Sequence, residues 1–461
     1  MIRYTEEQSD YLEHIQQNEG IVLVEAGAGT GKSFMSRRTV KELDVKSGIY
    51  TAFNKAIVAE GVEKFIGTPI QCKTLHALAY RYVKPNKEIK TFTYKCIEER
   101  INYSEKRRVI DTIDTFFVSA STCMHEYFEK AFEGHPRASY MTSICEKYVE
   151  GMVNEEVNPT FNFLLKFLHL CLVERTVTIN VDIVILDEIN DVTAVSLEIF
   201  RLINAPKKLG LGETNQAIYE FLNLVNGFEI LKDEASTFKF TQSYRCSTEI
   251  AERIQTKMQK VLNDEFKFVG TDNPVKNGQT LFCTMTNAMI VDQIQRRLAE
   301  GKSFTLLRKP SDIFAAPLAV LSASQGKKPY QSKYAYLVDV FEEFMAQSKH
   351  KTFFKYLTAE LDDDEITNAV RLLQRLSVDG INLYELYRET KEIVPDKNYT
   401  ISTVFTSKGL EYETVYIADD LNTKFESACA GSLTDSEAVV AMRCYYVACS
   451  RAGLNLYNAK L

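Results

Sequence analysis

At 461 residues with 45% apolar side chains, the chain can bury more than one hydrophobic core, so several domains are expected. A net charge of −7 excludes a protein that coats nucleic acid by bulk charge, because sequence-independent affinity comes from neutralised phosphates; any grip on such a polymer has to be a local groove. No run reaches the about 18 uninterrupted apolar residues of a membrane span, and the opening MIRYTEEQSDYLEHI lacks the basic-then-apolar layout of a secretory leader, so a soluble, cytoplasmic protein with no membrane partner is expected.

From Ile21 to about Lys84 short β-rich runs (IVLVEAG, GIYTAFN, TPIQCKTLHAL) alternate with helical stretches, the pattern of strand-helix-strand units on a parallel sheet. From about Pro85 to Val173 the chain turns polar with helical period, which predicts a helical insert. Strand signals return in VDIVILDE, KKLGLGE and STFKFTQSYR, and again after Gly278 in QTLFCTM and KSFTLLRK, so a second sheet is expected. A second helical interruption, from about Ser322 to Pro395, holds the acidic run Asp362, Asp363, Asp364, Glu365, which suits a solvated helix start. After it, YTISTVFTSKGLEYETVYIAD and the terminal LNLYNAKL supply further strands. The resulting division is a first α/β domain in two parts, 1–84 and 174–245, around an insert at 85–173; a second follows, in parts 246–321 and 396–461, around a smaller insert at 322–395. The ten cysteines form no C-x-x-C pair and the six histidines do not join them at ligand spacing, so reduced, mostly buried thiols are expected in place of a zinc site or disulfide frame.

The strongest chemical signal is AGAGTGKS, Ala26 to Ser33, between a buried-strand run and a helical pattern. It is a phosphate-binding loop: Gly27, Ala28, Gly29, Thr30 and Gly31 supply backbone N–H groups, Lys32 a point charge, and Ser33 a hydroxyl for Mg2+. Such a loop needs a metal carboxylate and a base, and the apolar run Ile183 to Leu186 ends in Asp187-Glu188, at the carboxyl end of a strand. Asp187 is assigned to the metal and Glu188 to the attacking water.

Nine segments then follow in a telling order: TEEQ with Gln8, AGAGTGKS, TAFNKA, KTLHALA, LDEIND, LGETNQAIYEF, FTQSYR, TVFTSKGLEY and YVACSRA. Over nearly the whole chain this order and spacing resembles the UvrD/Rep helicases of superfamily one, and AFNK with QAIYEF is similar to the F-box DNA helicase branch, although no F-box is visible. The resemblance implies two RecA-like α/β motor domains with parallel sheets and a mainly helical insert in each. It implies an ATP- and Mg2+-dependent motor moving 3′ to 5′ on single-stranded DNA. The motor would act as a monomer on tailed duplexes, in replication, repair or recombination and beside the proteins of those pathways. By resemblance Gln8 reads the adenine edge, Tyr244 stacks on the adenine, Gly409 and Glu411 approach the ribose, and Gln216 senses the terminal phosphate. Arg245 and Arg451 are implied as arginine fingers from opposite sides of the cleft between the motors. Phe53, Asn54, Lys55, Thr74, His76, Tyr219 and Phe221 are implied as DNA contacts, Phe221 standing where the family commonly has a stacking Trp.

The sequence also departs from the family pattern. Ala26 replaces the first glycine of the phosphate loop, Phe34 stands where relatives often carry an Arg over the adenine, and Asn190 stands where Gln is usual. The sequence ends ten residues after Arg451, short of the strand-separating hairpin of large bacterial relatives, so a separating element is expected elsewhere or not at all. Two other readings are compatible with these segments: a translocase that strips proteins from single strands with little unwinding, and a nucleotide-gated binding module. The set Lys32, Asp187, Glu188, Arg245 and Arg451 speaks against the second.

Overall fold

The structure is a computed structural model that describes residues 4–52, 55–219, 224–347, 349–361 and 363–461. The chain forms two compact units, Met1–Gln242 and Ser243–Leu461.

Among the described residues of the first unit, β1 (Gly20–Ala26), β2 (Gly48–Ala52), β3 (Ile70–Cys72), β4 (Ile183–Asp187), β5 (Lys207–Gly212) and β6 (Ala235–Phe240) form one sheet in the order β3-β2-β4-β5-β1-β6. Every pairing is parallel. Each residue of β2 and β4 is buried, the mark of parallel strands covered on both faces, and alternate side chains divide between those faces. Val22, Val24, Ile183 and Ile185 pack with Tyr11, Ile15 and Met35. Leu23, Ile49, Val184 and Leu186 pack with Leu75, Phe116, Leu164 and Leu168 from the helices on the other side. The helices Tyr103–Val118, Met124–Ala131, Ala138–Val153 and Phe161–Val173 therefore share one apolar core with the sheet.

That core contains two titratable groups. Lys166, 2% exposed, donates to the carbonyls of Ser119 (2.7 Å) and Ser121 (2.8 Å), and burial pulls its ammonium down to about 8. His169, on the same helix, is buried, and its Nδ1 meets no hydrogen-bond partner among the described residues. Burial, with the Lys166 charge behind it, pushes the His169 imidazole down from 6.5 to about 4. The unfolded chain takes up this proton near pH 6.5 and the folded chain only near pH 4, so the contribution is full above about 6.5 and is lost as pH falls toward 4. Replacing His169 by Gln removes the titration. Between pH 7 and 5 the melting temperature of His169→Gln is expected to fall less than that of the wild type by about 4–8 °C, the shift that about 2 kcal/mol produces in a unit of this size. Parallel melting curves would acquit His169.

In the second unit, β7 (Gln242–Ser247) pairs with β8 (Val269–Thr271). The strands β9 (Thr280–Thr284), β10 (Thr305–Leu306), β11 (Tyr399–Thr403), β12 (Tyr412–Ile417) and β13 (Ala452–Tyr457) form a parallel sheet in the order β10-β11-β9-β12-β13. Helices between β10 and β11 join this sheet through a cluster that includes Val320, Leu357, Val370, Leu373 and Ile401. Within them Asp363 caps the helix Asp364–Val378 by accepting from the Ile366 amide, the helix-start role expected of the acidic run; Asp362 lies outside the described residues. The chain enters the second unit at Ser243, ahead of the expected boundary after Arg245, because β7 pairs with β8 and not with the first sheet. Among the described residues no helix is long and apolar enough to cross a membrane.

Candidate functional site

β1 ends at Ala26, and the chain turns through residues 27–31 into the helix Lys32–Glu42. Gly29 and Gly31 have φ of 72° and 83°, a left-handed backbone that favours glycine. The turn is braced from within: the Gly27 amide donates to the Phe240 carbonyl (3.0 Å), and the Thr30 hydroxyl donates to the Gly27 carbonyl (2.8 Å). Gln8 is buried and donates through Nε2 to the Thr30 carbonyl at 3.4 Å, so it lies beside the loop. The helix amides that follow Gly31 have no carbonyl of their own turn to meet, which makes this end an anion site. Phe34 is exposed, its ring 6.5 Å from that of Tyr4.

β4 delivers Asp187 to the same end of the sheet. Lys32 Nζ lies 3.2 Å from Asp187 Oδ1 and donates to Glu188 Oε1. Burial works against the Lys32 charge, but the two carboxylates outweigh it and hold the ammonium well above its ordinary value. Glu188 has φ of 56°, a strained conformation for a residue with a side chain, and strain of this kind gathers where geometry serves chemistry. Among the described residues no group of three or more His, Cys, Asp or Glu could hold a metal. Ser33 with Asp187 nevertheless suits Mg2+, which takes one or two protein ligands and completes its octahedron from substrate phosphates and water. Asp187 is a buried carboxylate, a group that calls for positive charge beside it, and Lys32 now supplies that charge.

The segment after β5 is tied to the turn that follows Glu188 through Asn190. Its Oδ1 accepts from the Glu213 amide (2.9 Å), its Nδ2 donates to Asp191 (3.1 Å), and Gln216 Nε2 in turn donates to Glu213. A Cβ on Gly212 would lie 2.2 Å from Asn190 Oδ1, so the close approach requires glycine there. The shorter Asn therefore bridges the two segments in this chain.

In the second unit Arg245 is buried on β7, with Nε 3.4 Å from Glu411 Oε2 and Nη1 donating to the Ser450 carbonyl at 3.1 Å. Arg451 is 1% exposed; it donates from Nε to the Val447 carbonyl (3.0 Å) and from Nη1 to the Leu410 carbonyl (3.3 Å). Gly409, with φ of 89°, and Glu411 flank that carbonyl, so Arg245, Glu411 and Arg451 form one cluster. The expectation that the two arginines come from opposite motors is corrected: both belong to the second unit, because Arg245 is anchored to the carbonyl that precedes Arg451. Tyr244, next to Arg245, is 47% exposed.

A family model for the UvrD-like helicase C-terminal domain matches residues 99–460. The chain belongs to the UvrD-like helicase family. Its α/β units are accordingly RecA-like motor folds. The chain is also 22% identical, over 471 aligned positions, to F-box DNA helicase 1 of Gallus gallus. The match covers 91% of this chain and 45% of that protein, so the chain spans a little under half the length of the curated relative it matches.

In this UvrD-like chain the residues expected to face DNA divide into three groups. Phe53, Asn54 and Phe221 lie outside the described residues, and Lys55 opens the helix Lys55–Lys64. Thr74 caps the helix Leu75–Val83, its hydroxyl accepting from the Ala77 amide at 3.2 Å. Tyr219 is half-buried, and Thr74 and His76 stand at the start of the helix that follows β3, at the carboxyl edge of the sheet. His76 reaches the helical insert: its Nε2 is 3.1 Å from Asn162 Oδ1 and its ring meets Phe161 edge-on at 6.2 Å. Burial lowers the His76 pKa, the Asn162 contact opposing it. Phe161 is 57% exposed, an aromatic side chain of the kind bases stack on.

Sequence reasoning missed Phe161 and Asn162, since an aromatic at the start of an apolar helix looks like core. It also missed Tyr50 and Lys64. The Tyr50 hydroxyl donates to Asp187 Oδ2 at 2.5 Å, and Lys64 Nζ donates to Ser33 Oγ at 2.9 Å. Only the alternation of β2 hints that Tyr50 shares a face with the carboxylate.

Proposed function

We propose that the chain is an ATP-driven DNA helicase that translocates 3′ to 5′ along single-stranded DNA. The observation that carries this reading is the meeting of Lys32, Asp187 and Glu188 at the end of a phosphate-binding loop, in a member of the UvrD-like family. Lys32 and the loop amides hold the phosphates, Glu188 orients the attacking water, and Gln216 reports the terminal phosphate through Glu213 and Asn190. Ser33 and Asp187 would hold Mg2+, which neutralises charge on the phosphate oxygens. Gln8, Phe34 and Tyr244 serve the adenine, Gly409 and Glu411 the ribose, and Arg245 with Arg451 the charge of the transferred phosphoryl group. Phe53, Asn54, Lys55, Thr74, His76, Tyr219 and Phe221 serve the strand, and the exposed ring of Phe161 beside His76 extends that track.

The test is directional. Duplexes with a 3′ single-stranded tail are expected to open in the presence of ATP and Mg2+, while those with only a 5′ tail stay closed. Preference for the 5′ tail would overturn the polarity, and an ATPase rate indifferent to single-stranded DNA would overturn the motor.

A further inference from the structure

The helical insert of the first unit holds a cavity of about 250 Å3, away from the phosphate loop and its carboxylates. Its floor is Phe92 with Ile113 and Phe117 of the helix Tyr103–Val118, all three buried in the apolar core of the insert. Residues 89–92 form one wall, and the Lys90 amide pins them to the Pro159 carbonyl at 3.0 Å. Phe161 and Asn162, at the start of the helix Phe161–Val173, form another, and Phe161 is more than half exposed. A floor of close-packed core side chains does not yield, so the cavity is preformed.

The volume sets the size of the guest. An apolar cavity of about 150 Å3 admits a benzene, and sites for whole drug-sized molecules start near about 300 Å3, so this cavity suits a single planar ring system. The groups at the mouth set its kind. Asp114, which is exposed, lines the cavity, and the rim lysine Lys90 is already paired with Glu88 at 3.0 Å. A phosphate placed there would meet like charge, so the guest is an uncharged ring. Asn162 is engaged at both ends: its Oδ1 lies 3.1 Å from His76 Nε2, and its Nδ2 donates to Asp114 Oδ1 at 3.2 Å. Asp114 keeps acceptor capacity beyond that bond, because an ionised carboxylate offers two oxygens and can only accept.

We propose that the cavity takes one base of the single strand, turned out against Phe161, and that Asp114 favours a base with an exocyclic amino group. This rests on the strand reading proposed above. His76 stands at the carboxyl edge of the sheet, and its ring meets that of Phe161 at 6.2 Å, so Phe161 links the cavity to that edge. Turning a base out is least costly in a strand that is already single. Cytosine presents N4–H2 to a carboxylate, whereas thymine presents O4 at that position and sets its N3–H between two carbonyl oxygens. An apolar side chain of a protein partner would suit the floor equally well, but it gives Asp114 nothing to accept.

The experiment compares two pyrimidine strands that differ at this edge. Oligodeoxycytidylate and oligothymidylate of equal length are titrated into the full chain, without nucleotide, for wild type, Phe161→Ala and Asp114→Asn. The wild type is expected to bind the cytosine strand more tightly by about fivefold or more, the low end of what one base contact discriminates. Phe161→Ala is expected to weaken binding of the cytosine strand by about fivefold or more and to bring the two affinities together. In Asp114→Asn, Asn162 Nδ2 still holds the side-chain oxygen, so the new amide turns its NH2 to the base and the preference shifts toward thymine, whose O4 accepts. A merely structural or long-range charge role for Asp114 would move both affinities alike and leave their ratio unchanged. Asp114 is exposed, so Asp114→Asn carries the test should Phe161→Ala unfold early. Equal affinities in the wild type, or a ratio untouched by Asp114→Asn, overturn this inference alone and leave the cavity to a protein partner. A wild type that binds neither strand overturns the proposed function as well.

Discussion

Lys32→Ala and Glu188→Gln are each expected to remove nearly all strand-stimulated ATP hydrolysis, by about a hundred- to a thousandfold, because phosphoryl transfer depends on positioning and preorganised charge. The structure separates the two variants. Lys32 is the cation that compensates Asp187 and Glu188. Its loss takes that cation away from two closely spaced carboxylates, one of them 4% exposed, and from the proposed phosphate site, so Lys32→Ala is expected to lower both nucleotide affinity and melting temperature. Glu188→Gln keeps a side-chain oxygen to accept from Lys32 and removes only the carboxylate proposed to orient the water. That variant is expected to bind ATP with near-normal affinity and to trap it. Measured together, hydrolysis rate, affinity for a fluorescent ATP analogue and melting temperature should give loss of all three for Lys32→Ala and loss of hydrolysis alone for Glu188→Gln. Either variant turning over at the wild-type rate would refute the assignment of these residues.

Both parallel sheets were legible in the sequence: buried parallel strands leave continuous apolar runs, as at residues 183–187, and residues 399–403 (YTIST) carry the aromatic and β-branched composition of a strand. The phosphate loop was equally legible, since glycines at φ of 72° and 83° leave a compositional trace that few other structures need. What stayed hidden were contacts whose partners are far apart in the chain. Tyr50 meets Asp187 across 137 positions, and His76 meets Asn162 across 86, and no local pattern encodes either. The arginines illustrate the same limit: both motifs were found, but the unit to which Arg245 belongs is decided by the pairing of β7 with β8 and by the Ser450 carbonyl. Asn190 shows that a departure from the usual residue need not break a link, because Gly212 lets the shorter side chain reach the Glu213 amide.

Arg451→Ala is expected to cost about a thousandfold or more in strand-stimulated turnover, the scale on which arginine fingers act in phosphoryl transfer. The geometry adds a second effect. The Arg451 guanidinium donates to the carbonyls of Val447 and Leu410, and Arg451 is 1% exposed. Truncation removes both charge-assisted bonds, although the Val447 carbonyl keeps the Ser450 hydroxyl as a donor at 3.1 Å, and at about 1.5–3 kcal/mol for a bond to a charged group the melting temperature should fall by several degrees. Leu410 stands between Gly409 and Glu411, and losing its tie to Arg451 should also loosen the segment assigned to the ribose. Arg451→Lys separates the two roles. A lysine preserves charge and can reach one carbonyl, but it lacks the planar fork that serves several acceptors at once, so part of the stability should return while turnover stays low. Assays run well below the lower melting temperature, with nucleotide affinity measured in parallel, keep unfolding from imitating a catalytic defect. If Arg451→Lys restores turnover in proportion to stability, Arg451 is a structural clamp; if stability returns without turnover, the guanidinium acts on the transferred phosphoryl group.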